Sequence, residues 1–405
     1  MTNQEQTTKN LQTNDASEFT WAPLIPLIGG FPLGAEKAFG KPPEAIYSYD
    51  GFWGNDSQYV NYQQNTLGRD IEYITIDETD MNFERKINVI VGTPVCSGLS
   101  SLNTSKNPDK QGPGCKQNEQ MYNVVRQGAK RFDADVIMLE NAPGLATKKG
   151  IEVADNLAEL GKTLGYVTAI YKTSTHFHGI PQRRDRTFAV FFKADKLPQI
   201  EWQKLESLPL KNFLSTMSSN VVDETTIINE KILDDVYYNF LKEKTGDVRE
   251  TLISAGQVTC LNYVKKHHLA DITEWVERQD NEKWKKKVRH LNTKLSKGLG
   301  VWDDSVHIFK DRINAVIGRN MNDSIHPTED RSLTIAEALY LMGFPENFEL
   351  VGGLKNSNMI AQNVPVCTAK FISEQAIKFL RGELEETDLE YAKFDNWNEK
   401  IENRG

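Results

Sequence analysis

Short apolar runs alternate with amphipathic stretches through the first half of this 405-residue chain. Residues 24–28, 45–49, 87–91, 136–139, 166–171 and 187–192 are rich in β-branched, aromatic and aliphatic side chains, the pattern of strands buried on both faces. Between them, residues 119–132 and 152–164 place apolar side chains every three or four positions, as a helix with one buried stripe does. Regular alternation of the two patterns predicts an α/β fold, a doubly wound, mainly parallel, Rossmann-like sheet covered by helices on both faces.

The alternation breaks after residue 195. Residues 196–325 are polar and irregular, with Pro198 and Pro209, and read as a smaller inserted domain. Helical spacing resumes at 333–342 and again at 367–380. The expected layout is a main domain made of residues 21–195 and 326–382, interrupted by the insertion. A polar amino-terminal stretch, 1–20, reads as a disordered tail without the basic start and apolar run of a signal peptide. Residues 383–405 read as an acidic tail.

Composition narrows the function classes. A chain of this length with 39% hydrophobic residues can bury a large core. No apolar run approaches a membrane span, so no membrane partner and a cytoplasmic location are expected. The four cysteines, Cys96, Cys115, Cys260 and Cys367, are far apart and form no CxxC or Cys/His pattern, which argues against disulfides and against a bound metal. A net charge of −8 looks wrong for a nucleic-acid binder, but residues 283–297 carry seven Lys or Arg and no acid. Such a run is either a phosphate-binding surface or a solvated helix face.

Candidate chemistry lies where the strands end. Cys96 sits in Gly92-Thr93-Pro94-Val95-Cys96-Ser97-Gly98, directly after an apolar strand, where an open α/β sheet places its active groups. From the loop alone, a nucleophile and a buried packing cysteine are both open readings. Glu140 ends the apolar strand 136–139, a dry setting that raises a carboxyl pKa; capping the next helix is its bland alternative. Gln182, Arg184 and Arg186 alternate along an extended segment and therefore face one way, either as an anion-binding fork or as a basic surface strip. Gly29-Gly30-Phe31 follows the first strand, where glycines admit a cofactor to the backbone.

In order and character these clusters, together with Arg331, Glu337 and Gly343-Phe344-Pro345, resemble the DNA (cytosine-5) methyltransferase family from about residue 24 to 380. The resemblance implies methyl transfer from S-adenosylmethionine to carbon 5 of a flipped-out cytosine, through a covalent Cys96 adduct. It implies Cys96 as nucleophile, Glu140 as the acid toward ring nitrogen 3, and Arg186, with Arg184, as the guanidinium groups of the catalytic set. For the donor it implies Ile28, Gly29, Gly30 and Phe31 after the first strand and Asp50 on the ribose. Phe52 or Trp53 would lie on the adenine and Asp77 at its amino group, with Asp56 and Asp80 as competing acids. Pro94, Gln362 and Val364 would complete that pocket. For double-stranded DNA it implies Ser100 and Gln182 near the target base. The insertion becomes a target-recognition domain whose Lys285, Lys286, Lys287 and Arg289 meet phosphates. The loop 100–117 would be mobile and close over the substrate. A monomer is expected.

The chain also departs from the family pattern. Ile25 and Leu27 stand where the first cluster has an aromatic residue and its first glycine; Val95 replaces a proline, Ser97 a glutamine, Ala142 a valine, and Ala361-Gln362 a Gly-Asn pair. Two other readings stay open: a transfer-RNA methyltransferase, against which stands the absence of a Cys-Phe-Thr tripeptide, and an inactive DNA-binding regulator, against which stands the retention of Cys96, Glu140 and Arg186 together. A dinucleotide oxidoreductase lacks its Gly-x-Gly-x-x-Gly.

Overall fold

The computed structural model describes residues 18–100, 103, 105–218, 230–301, 305–316, 324–395 and 400–403. The first half runs β1 (Trp21–Leu24), α1 (Gly30–Phe39), β2 (Ile46–Tyr49), α2 (Trp53–Asn61), β3 (Tyr73–Ile76), β4 (Val89–Gly92), α3 (Glu119–Lys130), β5 (Val136–Asn141) and α4 (Ile151–Thr163). It continues through β6 (Val167–Ser174), β7 (Gln182–Arg183) and β8 (Asp185–Phe192). Nine strands, completed by two from the carboxyl terminus, form one sheet in the order β11-β10-β6-β8-β5-β4-β1-β2-β3. All neighbours among β3, β2, β1, β4 and β5 are parallel, whereas β8 runs antiparallel to both β5 and β6. The sheet is thus mainly parallel and Rossmann-like.

Both faces are covered. Val89, Val91, Val136, Met138, Phe188 and Val190 pack against α1 and the last long helix, and the alternate residues Ile90, Ile137 and Leu139 pack against α3 and α4. This two-sided burial is why the strands read as continuous apolar runs. The register pairs Leu24 with Gly92 and Gly92 with Leu139, so β1 and β4 end level, β5 runs two residues further, and their following loops open along one edge.

Three sequence expectations change. The strand expected at 24–28 instead ends at Leu24, because Ile25 and Leu27 adopt left-handed backbone (φ 62° and 52°), which no strand continues. The insertion is helical: α5 (Leu210–Leu214), α6 (Glu230–Asp234), α7 (Val236–Thr245), α8 (Val248–Ser254), α9 (Cys260–His267), α10 (Leu269–Glu277) and α11 (Glu282–Ser296). The helices from α6 onward close on their own core, centred on Val236, Phe240, Leu252, Val264, Ile272 and Val288. Leu197 and Ile200, by contrast, belong to the sheet core, and Leu210, Ile313 and Val316 to a third cluster with the following segment, so the helical unit is shorter than 196–325.

After it come β9 (Ile313–Asn314), which pairs with β7, then α12 (Ile335–Tyr340), α13 (Ser357–Ala361) and α14 (Val366–Leu380). The third change is at the carboxyl end, where β10 (Tyr391–Asp395) lies parallel to β6 and β11 (Lys400–Asn403) pairs with it. Ala392 and Phe394 are buried in the sheet core, which is why this stretch is not a solvated acidic tail. The expected amino-terminal tail lies almost wholly outside the described residues; Thr20 already binds Asn88 through its N–H (2.8 Å) and hydroxyl (2.9 Å). No helix among the described residues is long and apolar enough to cross a membrane.

Candidate active site

A cavity of about 920 Å³ opens where β1, β4 and β5 end. It is walled on one side by the loops after these strands and on the other by Asn314, Ala315, Asn358, Ala361 and Gln362. Cys96, Glu140, Arg184 and Arg186 all line it, as do Pro94, Ser100, Phe52 and Gln362.

Cys96 is delivered by a tight loop. The Val95 N–H donates to the Gln120 side chain of α3 (2.8 Å), and the Leu99 N–H closes a turn on the Cys96 carbonyl (3.1 Å). A β-carbon at Gly98 would come within 2.8 Å of the Cys115 sulfur, so only glycine lets the following segment pack so closely. That segment, expected to be a mobile loop, folds back on the Cys96 loop: Asn103 donates to the Ser97 carbonyl (2.9 Å) and Gly112 to the Gly98 carbonyl (2.9 Å). Residues 101, 102 and 104 lie outside the described residues.

Glu140 and Arg186 meet because of sheet register. Glu140 pairs with Phe188 across β5 and β8, and Arg186, two residues before Phe188, points to the same face. Its Nε lies 2.6 Å from Glu140 Oε1. Burial pushes the Glu140 carboxyl above the usual carboxylate range, against the pull of Arg186 and Arg184. Burial likewise raises the Cys96 thiol, the Glu140 carboxylate adds to this, and the two arginines oppose it.

Arg184 does something else. It is 1% exposed, and its guanidinium donates to the carbonyls of Val316 (3.0 Å), Asn363 (2.8 Å) and Ala361. It therefore clamps the segment that walls the cavity opposite the sheet. Burial lowers its pKa well below the ordinary arginine value. Gln182 is fully buried and is spent on the Leu341 carbonyl (2.6 Å) and the Val316 N–H (3.2 Å), so it presents no group to a nucleic acid.

The residues expected around a donor divide. Gly30 packs so tightly that a β-carbon would fall 1.9 Å from the Val364 carbonyl, and its N–H donates to Asn363 Oδ1 (2.9 Å). Ile28, Phe31 and Val364 are buried in the core, with Phe31 edge-on to Phe188, and like Gly29 and Gly30 they do not line the cavity. Phe52 reaches the cavity, whereas Trp53 is 54% exposed and packs on Tyr73. Asp50 is exposed and takes the Gly51 N–H (3.0 Å). Asp77 is exposed and closes a turn on Thr79, whose hydrogen bonds hold it below the usual carboxylate range. Neither acid lines the cavity; the polar side chains that do so at this end are Asn55, Thr93 and Gln362. Asn55, Arg183 and Asn314 were not singled out from sequence, and only proximity in the fold marks them; Leu27 stood out only as a departure from the family pattern.

The basic run is spread around the sides of α11 that Val288 and Leu291 do not bury, and none of it lines the cavity. Lys283 pairs with Asp234 (2.8 Å), Lys285 with Glu282 (3.2 Å) and Arg289 with Glu277 (2.9 Å), while Lys287 lies 5.4 Å above the Tyr237 ring. Lys286 is exposed.

A Rossmann-like sheet whose strand ends converge on one large cavity defines the molecule as an α/β protein with its site at the strand ends. The chain is 22% identical over 382 residues to the type II methyltransferase M.DdeI of Desulfomicrobium norvegicum, covering 86% of each chain. It is 23% identical over 312 residues to M.Bpa9945I of Bacillus paralicheniformis, covering 69% of this chain and 68% of the relative. Among solved structures it is similar to an Escherichia coli prophage protein described as a candidate DNA modification methyltransferase, with a TM-score of 0.57 and 16% identity over 90% of this chain and 99% of the other. The chain belongs to the C-5 cytosine-specific DNA methylase family, whose model it matches over residues 19–378.

Proposed function

We propose that this enzyme methylates carbon 5 of a cytosine extruded from double-stranded DNA, that its donor is S-adenosylmethionine, and that Cys96 forms the covalent adduct. The observation that carries the reading is the buried contact of Glu140 with Arg186 in the cavity that also holds the Cys96 thiol. Cytosine carbon 5 is a poor nucleophile until a thiolate adds at carbon 6 and pushes electron density across the ring. Charge then builds toward ring nitrogen 3, where the Glu140 carboxyl, protonated more readily because of its burial, donates a proton. Arg186 fixes that carboxyl and presents its remaining N–H groups to the ring carbonyl oxygen. Arg184 contributes by holding the 361–363 wall in place. Loss of the carbon-5 proton reverses the addition and frees the thiol.

The donor would supply an electrophilic methyl group on a sulfonium. The cavity fits such a molecule, because its end beside Leu27, Phe52, Asn55, Thr93 and Pro94 offers apolar walls and neutral polar groups. Arg184, the lining arginine beside Gln362, is spent on the Ala361 and Asn363 carbonyls, and Arg186 on Glu140. The helical unit, with α11 exposed along one side, would contact the duplex as a monomer. DNA containing 5-fluorocytosine tests the mechanism, since fluorine blocks the final elimination. The wild type should form a denaturant-resistant complex dependent on S-adenosylmethionine; the same complex with Cys96→Ala would overturn the assignment.

A further inference from the structure

The backbone between β1 and α1 is held in an unfavourable shape at two consecutive alternate positions. Ile25 and Leu27 have positive φ (62° and 52°), a conformation that crowds the β-carbon of any L residue and is worst for a β-branched one. Such a shape persists only where surrounding groups impose it. Ile25 is held by its N–H on the Tyr47 carbonyl (2.9 Å), and Gly29 turns back on Pro26 (3.0 Å). Leu27 is held by a side chain: its N–H donates to Asp56 Oδ1 (3.0 Å).

Asp56 is fully buried in the first turn of α2. Its second oxygen accepts from the Ser48 hydroxyl of β2 and from the Tyr73 hydroxyl of β3 (3.1 Å). One carboxyl group therefore joins two strands, a helix and the strained loop. The same turn of α2 supplies Asn55 to the cavity, just after Phe52, and Leu27 lines the cavity beside them. Nothing in the catalytic proposal uses Asp56, and burying a carboxyl away from the reacting groups is costly without a purpose.

We propose that Asp56 is a positioning residue of the donor end of the cavity, holding Leu27 in its left-handed conformation so that the isobutyl group becomes a wall against the donor. This rests on the reading that the donor occupies that end. A glycine at position 27 would take the same backbone shape unaided and would leave the wall open. At the donor wall Asp56 and Leu27 thus work as one unit, while the bonds from Ser48 and Tyr73 remain whatever stands at position 27.

A double-mutant cycle tests this, using the full chain, with two readouts: the Kd of S-adenosylmethionine by calorimetry and the urea midpoint of the donor-free protein. Asp56→Ala should weaken donor binding about tenfold or more and lower the midpoint, as contacting residues couple. Asp56→Asn, which keeps an oxygen for the Leu27 N–H, should keep a donor affinity near wild type and a midpoint no lower than wild type. In a Leu27→Gly background, Asp56→Ala should cost much less in both readouts. Equal losses from Asp56→Ala in the two backgrounds, or no loss in the wild-type background, would overturn the proposal. If wild type binds no S-adenosylmethionine, the donor reading itself fails, and with it the donor wall. The midpoint cycle alone then decides whether Asp56 holds Leu27, and failure of coupling there overturns that part as well.

Discussion

Replacing Glu140 with Gln separates an acid from a structural prop. The substitution keeps the size of the side chain, which is 2% exposed, and leaves one oxygen to accept from Arg186 Nε, now 2.6 Å from the carboxylate. What it removes is the transferable proton and the negative charge facing Arg186. Loss of a buried ion-pair partner costs about 3–5 kcal/mol when nothing compensates. Here Arg186 keeps its hydrogen bond to the Asp185 carbonyl (2.8 Å) and some exposure, so a fall of a few degrees in Tm is expected and the fold survives. Loss of a general acid costs about 10²–10⁴ in rate, equivalent to ~2.7–5.4 kcal/mol of barrier. Single-turnover methylation of duplex DNA, with labelled S-adenosylmethionine at saturation, should therefore slow by that factor while the donor Kd changes little. A Glu140→Gln enzyme with near-normal turnover would refute the reasoning. So would a loss traced entirely to donor affinity or to unfolding, because Glu140 would then be a cap on the strand end.

Two further expectations follow from the geometry. Lys286 is exposed, whereas Lys285 and Arg289 have acidic partners, so Lys286→Ala should lessen the slope of log affinity against log salt by about 0.9, one phosphate contact, equally for all DNA sequences; Lys285→Ala should change it less, and an unchanged slope for Lys286→Ala would make α11 an idle face. Burial raises Asp56 to about 7, above its value in the unfolded chain, so its contribution to stability is fully present below pH 4 and is lost as pH rises toward 7. Urea unfolding of wild type should accordingly weaken over that window by up to ~1.4 kcal/mol per pH unit relative to Asp56→Asn, and parallel pH profiles for the two proteins would count against it.

The periodic parts of the molecule were legible before folding. Strands buried on both faces carry apolar side chains on both, so β2, β4, β5 and β8 appear as largely apolar runs, and Glu140 at the end of β5 and Cys96 in the loop after β4 stand out there. The helical insertion was missed in the sequence, although Asp235, Asp247, Thr259 and Asn281 each cap a helix by accepting backbone N–H groups. Its amphipathic stripe is simply thin beside so much charge, and polarity masked it. The strand at 391–395 alternates Ala392 and Phe394 with polar neighbours, but five residues of alternation amid acids carry little weight without the β6 edge to receive them.

The division of labour among Gln182, Arg184 and Arg186 depended on the tertiary structure. A strand pattern puts the three on one side yet says nothing about what covers that side. Residues 316 and 361–363, more than 130 positions away, take up Arg184 and Gln182 as carbonyl and amide anchors, and only Arg186 is left beside Glu140. The same holds for Asp56, one acid among 56 in the sequence. Its link to Leu27 spans 29 positions and exists because β1, β2 and β3 lie side by side. Local pattern determines which residues can reach a strand end, because side-chain direction follows the backbone period. Which of them are free to act there is decided by partners that approach from distant parts of the chain.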